Sequence, residues 1–478
     1  MEKSRVNKIN HLVWYVLVFL LPFTSLPLAS KLLGADMVAA PSILILFVLL
    51  ILIFFYLLKT KIKNNKLFQP ILIFGLFAII SSLLAFWMSI PIQKDFSIFR
   101  NIFEGVGTLL IGISFFFVTI NIIQSQVVLN KTLRIIVYSF IPLMVWCLFQ
   151  FIFGQIIHSY PAWMTTSQNF ITTSGTLYKN RLTGFAFEPS WLAHQLNMFY
   201  IPIWISATIC RRSAFNKLVN KFIVEDFFLI ASIFILIFTK SRVGWITFIF
   251  VITYLFITFN RNFLKIIKNR FQMKKNRVFI NALPIFLILF YILLLIAGLF
   301  LFSKFDSRMG SLFKIETYQN KNLFSIANEF VFAERILYWQ TGWEVFNDHP
   351  IFGVGLGNVG FFFEDQMPSF AWALDEPRHL IFQATYQGNV KNLWIRLLSE
   401  TGVIGFLIFG TWLFLIFQKS NQYQKSQSQV HKYWGLVGKI ALITIIVEGF
   451  SIDSFALPYY WIILGLVSNN YLNNNNDL

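Results

Sequence analysis

Long apolar runs recur along this chain, and they limit what it can fold into. A helix crossing a hydrocarbon layer about 30 Å thick needs roughly 20 apolar residues. Such runs occur about twelve times, near 12–30, 38–58, 69–90, 103–122, 133–154, 190–210, 225–239, 243–259, 279–302, 393–417, 434–451 and 454–469. With 57% hydrophobic and only 13% charged residues, the chain has too little polar surface for a soluble domain. Backbone polar groups in lipid must be satisfied within their own segment, which selects helix. The expected fold is all-α, a polytopic helical membrane protein with about 12 transmembrane helices and a large extracytoplasmic loop between the ninth and tenth.

The net charge of +18 raises the question of nucleic acid. Its distribution answers that question, because the basic residues cluster in short segments between alternate apolar runs: Lys3, Arg5 and Lys8; Lys59, Lys61, Lys63 and Lys66; Arg211, Arg212, Lys217 and Lys221; and the stretch 261–277. That is the signature of cytoplasmic loops. It places both termini in the cytoplasm, with the bilayer and not nucleic acid as the partner. The basic flank and LPLAS near Ala29 imitate a signal peptide, but the apolar run continues past it and the first helix is expected to be retained. The expected division is helices one to nine over 1–302, a helical loop domain over 303–391, helices ten to twelve over 392–470, and a disordered tail over 471–478.

The same topology leaves 155–189 and 303–391 outside. The second segment carries ten acidic and seven basic residues, with helical spacing of Trp339, Trp343 and Phe346 that predicts a folded cap. No nucleotide pool exists on that face, so a reaction there needs an activated, lipid-borne substrate. A polyprenyl-diphosphate-linked sugar is such a substrate, and arginine forks match its phosphate oxygens. There is no DxD pair and no His/Cys/Asp cluster at ligand spacing, so neither metal nor other cofactor is expected. Three arginines fall at outer positions: Arg181 before the sixth run, Arg242 in the tight turn TKSRVGW, and Arg335 in AERILYW.

Five elements follow in order: NRLTGFAFEP (180–189), KSRVG (240–244), ERILYW (334–339), HPIFGVGLGN (349–358) and NLWIRLLSETGVIG (392–405). Together they resemble the O-antigen ligase and polymerase superfamily. The resemblance implies an inverting, metal-independent glycosyltransferase acting on polyprenyl-diphosphate-linked glycans outside the cytoplasmic membrane. It implies a glycan donor and a glycan acceptor as substrates, and a chain-length regulator and a flippase as partners. It assigns Arg181, Arg242 and Arg335 to the diphosphate, with Glu188 as a further catalytic candidate. Asn392, His349, Gly355 and Glu400 fall in matching elements and, with Lys391 just before the last of them, are expected to bind substrate.

One departure bears on the reaction. Ligases of this kind carry a histidine just before the N-x-x-x-x-x-L element, where this chain has Val390-Lys391-Asn392. A lysine of ordinary pKa does not act as a base near neutral pH, which favours polymerase over ligase. The base candidates are Glu188, His194, Glu334, His349 and His379. Arg396 and Glu400, four apart, are expected to share a helix face and pair. Glu448, Asp453, Asp36 and Asp95 are weaker acidic candidates. A lipid-linked glycan transporter is the alternative from another class, but no repeat relates the two halves of the chain.

Overall fold

The computed structural model describes residues 2–35, 37–57, 65–94, 96–215, 218–219, 222–270, 289–290, 293, 296–298, 300, 332–469 and 471–472. Most of the expected ninth run (279–302), the first part of the large loop (303–331), Lys59, Lys61, Lys63, Asp36 and Asp95 lie outside the described residues.

Helices dominate, and local chemistry sets many of their ends. Helix α1 (Glu2–Phe19) stops before Pro22, and the short α2 (Pro27–Leu33) starts on a proline. The expected single run 12–30 is thus divided, because proline lacks the N–H a helix interior needs yet suits a first turn. Helices α3 (Pro41–Leu57), α4 (Phe68–Leu84), α5 (Ile98–Ile122) and α6 (Gln126–Phe151) follow. Ser97 and Ser125 cap α5 and α6, their hydroxyls accepting from the N–H groups of Arg100 and Val128. After α7 (Ala162–Ile171), α8 (Pro189–Gln195) passes through a π turn at 196–200 into α9 (Ile201–Cys210). Helices α10 (Val224–Thr239) and α11 (Arg242–Arg270) form a tight pair, preceded by a two-stranded ribbon, Leu218–Val219 with Phe222–Ile223. Beyond residue 331 come α12 (Ala333–Asp348), α13 (Asp375–Phe382), α14 (Leu393–Lys425), α15 (Gln429–Glu448) and α16 (Pro458–Val467).

Five helical stretches among the described residues are long and apolar enough to cross a membrane: Phe68–Trp87, Ile98–Ile122, Gln126–Ile156, Leu393–Lys425 and Gln429–Glu448. Pro41–Phe55, Arg242–Thr258 and Pro458–Val467 are shorter apolar helices. Every residue of α16 is buried. A helix apolar on all sides belongs in the middle of a bundle. There Trp461 fills the space left by Gly112 of α5, where an added Cβ would lie 2.3 Å from the indole nitrogen. Phe54, Phe103, Leu407 and Phe414 are exposed on the outside of the bundle, as side chains in contact with lipid would be.

The buried apolar residues fall into two clusters. The larger fills the bundle. The smaller joins Leu337, Tyr338 and Val345 of α12 to Phe361, Phe363, Leu380 and Val390. The segment from 332 to 391 therefore has a core of its own. Tyr471 and Leu472, expected in a disordered tail, are helical, and Leu472 is buried in the bundle.

Candidate active site

The segment before α8 folds back onto the end of α10. Leu182 N–H donates to the Phe238 carbonyl at 2.9 Å, and Arg181 Nε donates to the Thr239 carbonyl at 2.9 Å. The Arg181 guanidinium also lies 5.9 Å from the centre of the Tyr178 ring. The chain then turns at Lys240, whose φ of 49° is left-handed. Ser241 begins α11 by accepting from Gly244 N–H at 3.3 Å. Arg242, the first residue of α11, therefore sits across one short turn from the carbonyl that holds Arg181. The segments that carry these two predicted arginines come together although 61 positions separate them in sequence.

Glu188 occupies the N-cap position of α8 with Pro189 at the first helical position, as the sequence suggests. Its carboxylate does not cap the helix; it accepts from the Ser190 hydroxyl. His194, one of the base candidates, is buried. Its Nδ1 lies 2.5 Å from Glu448 Oε2, and Asn197 Nδ2 donates to Glu448 Oε1 at 2.7 Å. Asn197 donates as well to the Gly244 carbonyl at 2.9 Å. His194 and Glu448 thus fasten α8 to α15 inside the bundle.

Helix α12 brings Arg335 to this wall. Its guanidinium is within electrostatic range of Glu188, Glu376, Asp453 and Glu334. Burial lowers its pKa from the ordinary arginine value, while those four acids work in the opposite direction. Its Nη1 is buried and makes no hydrogen bond. A buried cationic N–H in that condition is costly unless a partner arrives. Four residues on, Trp339 packs against Phe450 with ring centres 5.9 Å apart.

Beside Arg335, Glu334 and Glu376 are hydrogen-bonded carboxyl to carboxyl. Tyr338 Oη donates to Glu376 Oε1 at 2.9 Å, and Lys391 Nζ forms an ion pair with the same oxygen. The Lys391 ammonium also lies 4.6 Å from the Tyr338 ring centre. Burial first, then the hydrogen bond and charge of Glu376, raise the pKa of Glu334 to about 7. Burial also opposes the charge of Glu376, but bonds from Glu334, Lys391 and Tyr338 outweigh it and hold Glu376 below the usual carboxylate value.

Of the residues expected to bind substrate, Lys391 joins this cluster. Asn392 is buried next to it and caps α14, with Oδ1 accepting from Trp394 and Ile395 N–H at 2.9 and 3.2 Å. His349 lies at the opposite end of α12, its ring against Phe362. At 1.5 Å per helical residue that is about 20 Å from Arg335. Gly355 and Glu400 belong to a clasp between the glycine loop 349–358 and α14. Val354 and Gly355 N–H donate to the Ser399 and Glu400 carbonyls at 2.9 Å each, and Val403 N–H donates to the Pro350 carbonyl at 2.8 Å. Helix α14 opens to receive the loop at Gly402, with φ 63° and ψ −174°. A Cβ on Gly402 would lie 2.1 Å from the Ile351 carbonyl oxygen, and one on Gly355 would lie 2.9 Å from Ser82 Cα on α4.

Glu400 ties the clasp to the site. Arg396 Nε donates to it at 2.8 Å, as the four-residue spacing predicts, while Arg396 Nη1 donates to the Asp453 carbonyl at 2.7 Å. Glu376 and Tyr338 carry no signal in the sequence, since the partners that give them their role, each other and Lys391, lie 15 or more positions away along the chain. His379 is exposed on α13.

No curated protein matches the chain. Residues 227–410 match a family model described as O-antigen ligase, and that stretch contains four of the five elements above, all but 180–189. With its membrane-length apolar helices, the chain is a multi-pass membrane protein. The match over that stretch supports a likeness to the O-antigen ligase and polymerase superfamily.

Proposed function

We propose that this enzyme is a glycan polymerase. It transfers a glycan from one polyprenyl diphosphate carrier to a hydroxyl of a second carrier-linked unit, on the extracytoplasmic face of the cytoplasmic membrane. The acceptor oxygen bonds to the anomeric carbon as the bond from that carbon to the diphosphate breaks. The diphosphate leaves with the electron pair, and a single displacement inverts the anomeric centre. Arg181, Arg242 and Arg335 meet the charge that develops on the diphosphate, which is the usual means of accelerating such a step. No metal is assigned to it.

The observation that carries this reading is the approach of Arg335, with an unbonded Nη1, to Glu188, a residue of the same segment that Arg181 ties to the α10–α11 turn. Glu188 is the countercharge that orients Arg335 until donor binds. Lys391, where ligases of this kind have histidine, favours a carrier-linked acceptor over lipid A core or protein. A chain-length regulator and a flippase acting on the same lipid-linked units are the expected partners.

Replacing Arg181 or Arg242 with alanine is expected to abolish chain growth at unchanged protein level. Normal-length polysaccharide from either variant would sink the proposal. Loss of the gene separates the two acceptors: single repeat units accumulate if the enzyme is a polymerase, whereas long unattached polymer accumulates if it is a ligase.

A further inference from the structure

We propose that Glu334 accepts the proton of the attacking acceptor hydroxyl and that Glu376 is the positioning residue that holds it, an inference resting on the transferase reading above. The two carboxyls are in contact, one on the first turn of α12 and the other on the first turn of α13. Two carboxylates in hydrogen-bond contact cannot both ionise freely, so their environments decide which keeps the charge. Glu376 takes the Tyr338 hydroxyl and the Lys391 ammonium on one oxygen. Below about pH 7 the shared proton therefore resides on Glu334, the next residue to Arg335, and above it Glu334 is the carboxylate free to accept one.

Its surroundings suit a base. The groups facing Glu334 are Glu376 from α13, Lys391 from the segment before α14, and Arg335 from its own helix. Through Arg335 they extend to Glu188 of the 180–189 segment and Asp453 of the turn after α15. Burial and Glu376 outweigh the two cations and bring Glu334 to about 7, and a general base is most effective when its pKa lies near the working pH. The other candidates are placed less well. His194 is committed to Glu448, His349 lies about 20 Å along α12 by helical rise, His379 is exposed, and Glu188 takes the Ser190 hydroxyl.

The step balances. As the acceptor oxygen bonds to the anomeric carbon, its proton passes to a Glu334 oxygen, and the diphosphate departs with the electrons of the broken bond. The proton taken up by ionised Glu334 forms its bond to Glu376 and then leaves to water, which returns Glu334 to the ionised form the next turnover needs. Lys391 thus takes no proton itself; it keeps Glu376 charged.

The test uses the full-length chain in lipid vesicles, with a polyprenyl-diphosphate-linked repeat unit as both donor and acceptor, and follows polymerisation rate against pH. The wild-type rate should rise through an inflection near 7. Glu334→Gln should lose about a hundredfold or more in kcat, with no inflection and little change in KM. Glu376→Gln removes the neighbouring negative charge and should move the inflection to lower pH; Lys391→Met should move it higher. A structural role alone for Glu376 would change protein yield or rate at every pH and leave the inflection in place, and that result overturns the inference. So does a Glu334→Gln enzyme with wild-type rate and profile, or a Glu334→Asp enzyme that is folded but no more active than Glu334→Gln. A wild-type chain that forms no polymer from such units at any pH overturns the polymerase reading itself.

Discussion

Arg181 Nε donates to the Thr239 carbonyl across 2.9 Å, which binds the segment before α8 to the turn that starts α11. One side chain therefore helps set the spacing between itself and Arg242. Arg181→Lys keeps the charge but loses the planar fork and the Nε donor, and such sites do not treat the two residues alike. Chain growth should fall on the order of a hundredfold, with protein level unchanged, when glycan length is read from a gel ladder. A full ladder would remove Arg181 from the diphosphate.

Glu448 is wholly buried and joins His194 to Asn197. Glu448→Ala leaves His194 Nδ1 without its partner and Asn197 with only the Gly244 carbonyl, at a cost of about 1–3 kcal/mol, that of an unsatisfied buried polar group. Glu448→Gln keeps an acceptor oxygen and should lose less. Thermal unfolding of the purified protein, with His194→Ala and the double variant completing the cycle, measures the coupling. Additive effects would show that the contact contributes nothing.

Asn392 reads in this structure as a helix cap. Asn392→Ser, which can cap in the same way, should retain stability and polymer length, whereas Asn392→Ala should lose about 1 kcal/mol. A stable Asn392→Ser enzyme that fails to extend chains would instead put the amide on the substrate.

Much of this arrangement can be read from the chain in order, because it depends on neighbours. Apolar run length marks the helices, Pro189 marks the start of α8, and the two residues before Arg242 mark a tight turn. Arg396 and Glu400 pair by helical spacing alone. Other features depend on residues that only folding brings together. Glu376 sits in DEPRH, an ordinary exposed-looking acidic stretch, and acquires its chemistry from Glu334 and Tyr338 on a different helix. His194 and Glu448 are separated by 254 positions, so a histidine that suggested proton transfer is occupied in packing. The opening of α14 at Gly402 interrupts a stretch whose composition reads as unbroken helix.

The clasp between the glycine loop and α14 is made largely by backbone atoms, with no carboxylate, cation or hydroxyl of the loop taking part. What its glycines conserve is room for a neighbouring carbonyl or Cα. Ile351, Phe352, Val354 and Leu356 can therefore drift among apolar types while the architecture persists. A relative recognised by this loop alone would share the scaffold without any guarantee of activity. Silent descendants of such an enzyme should be sought among chains that keep these glycines and have lost Arg181, Arg242 or Glu334.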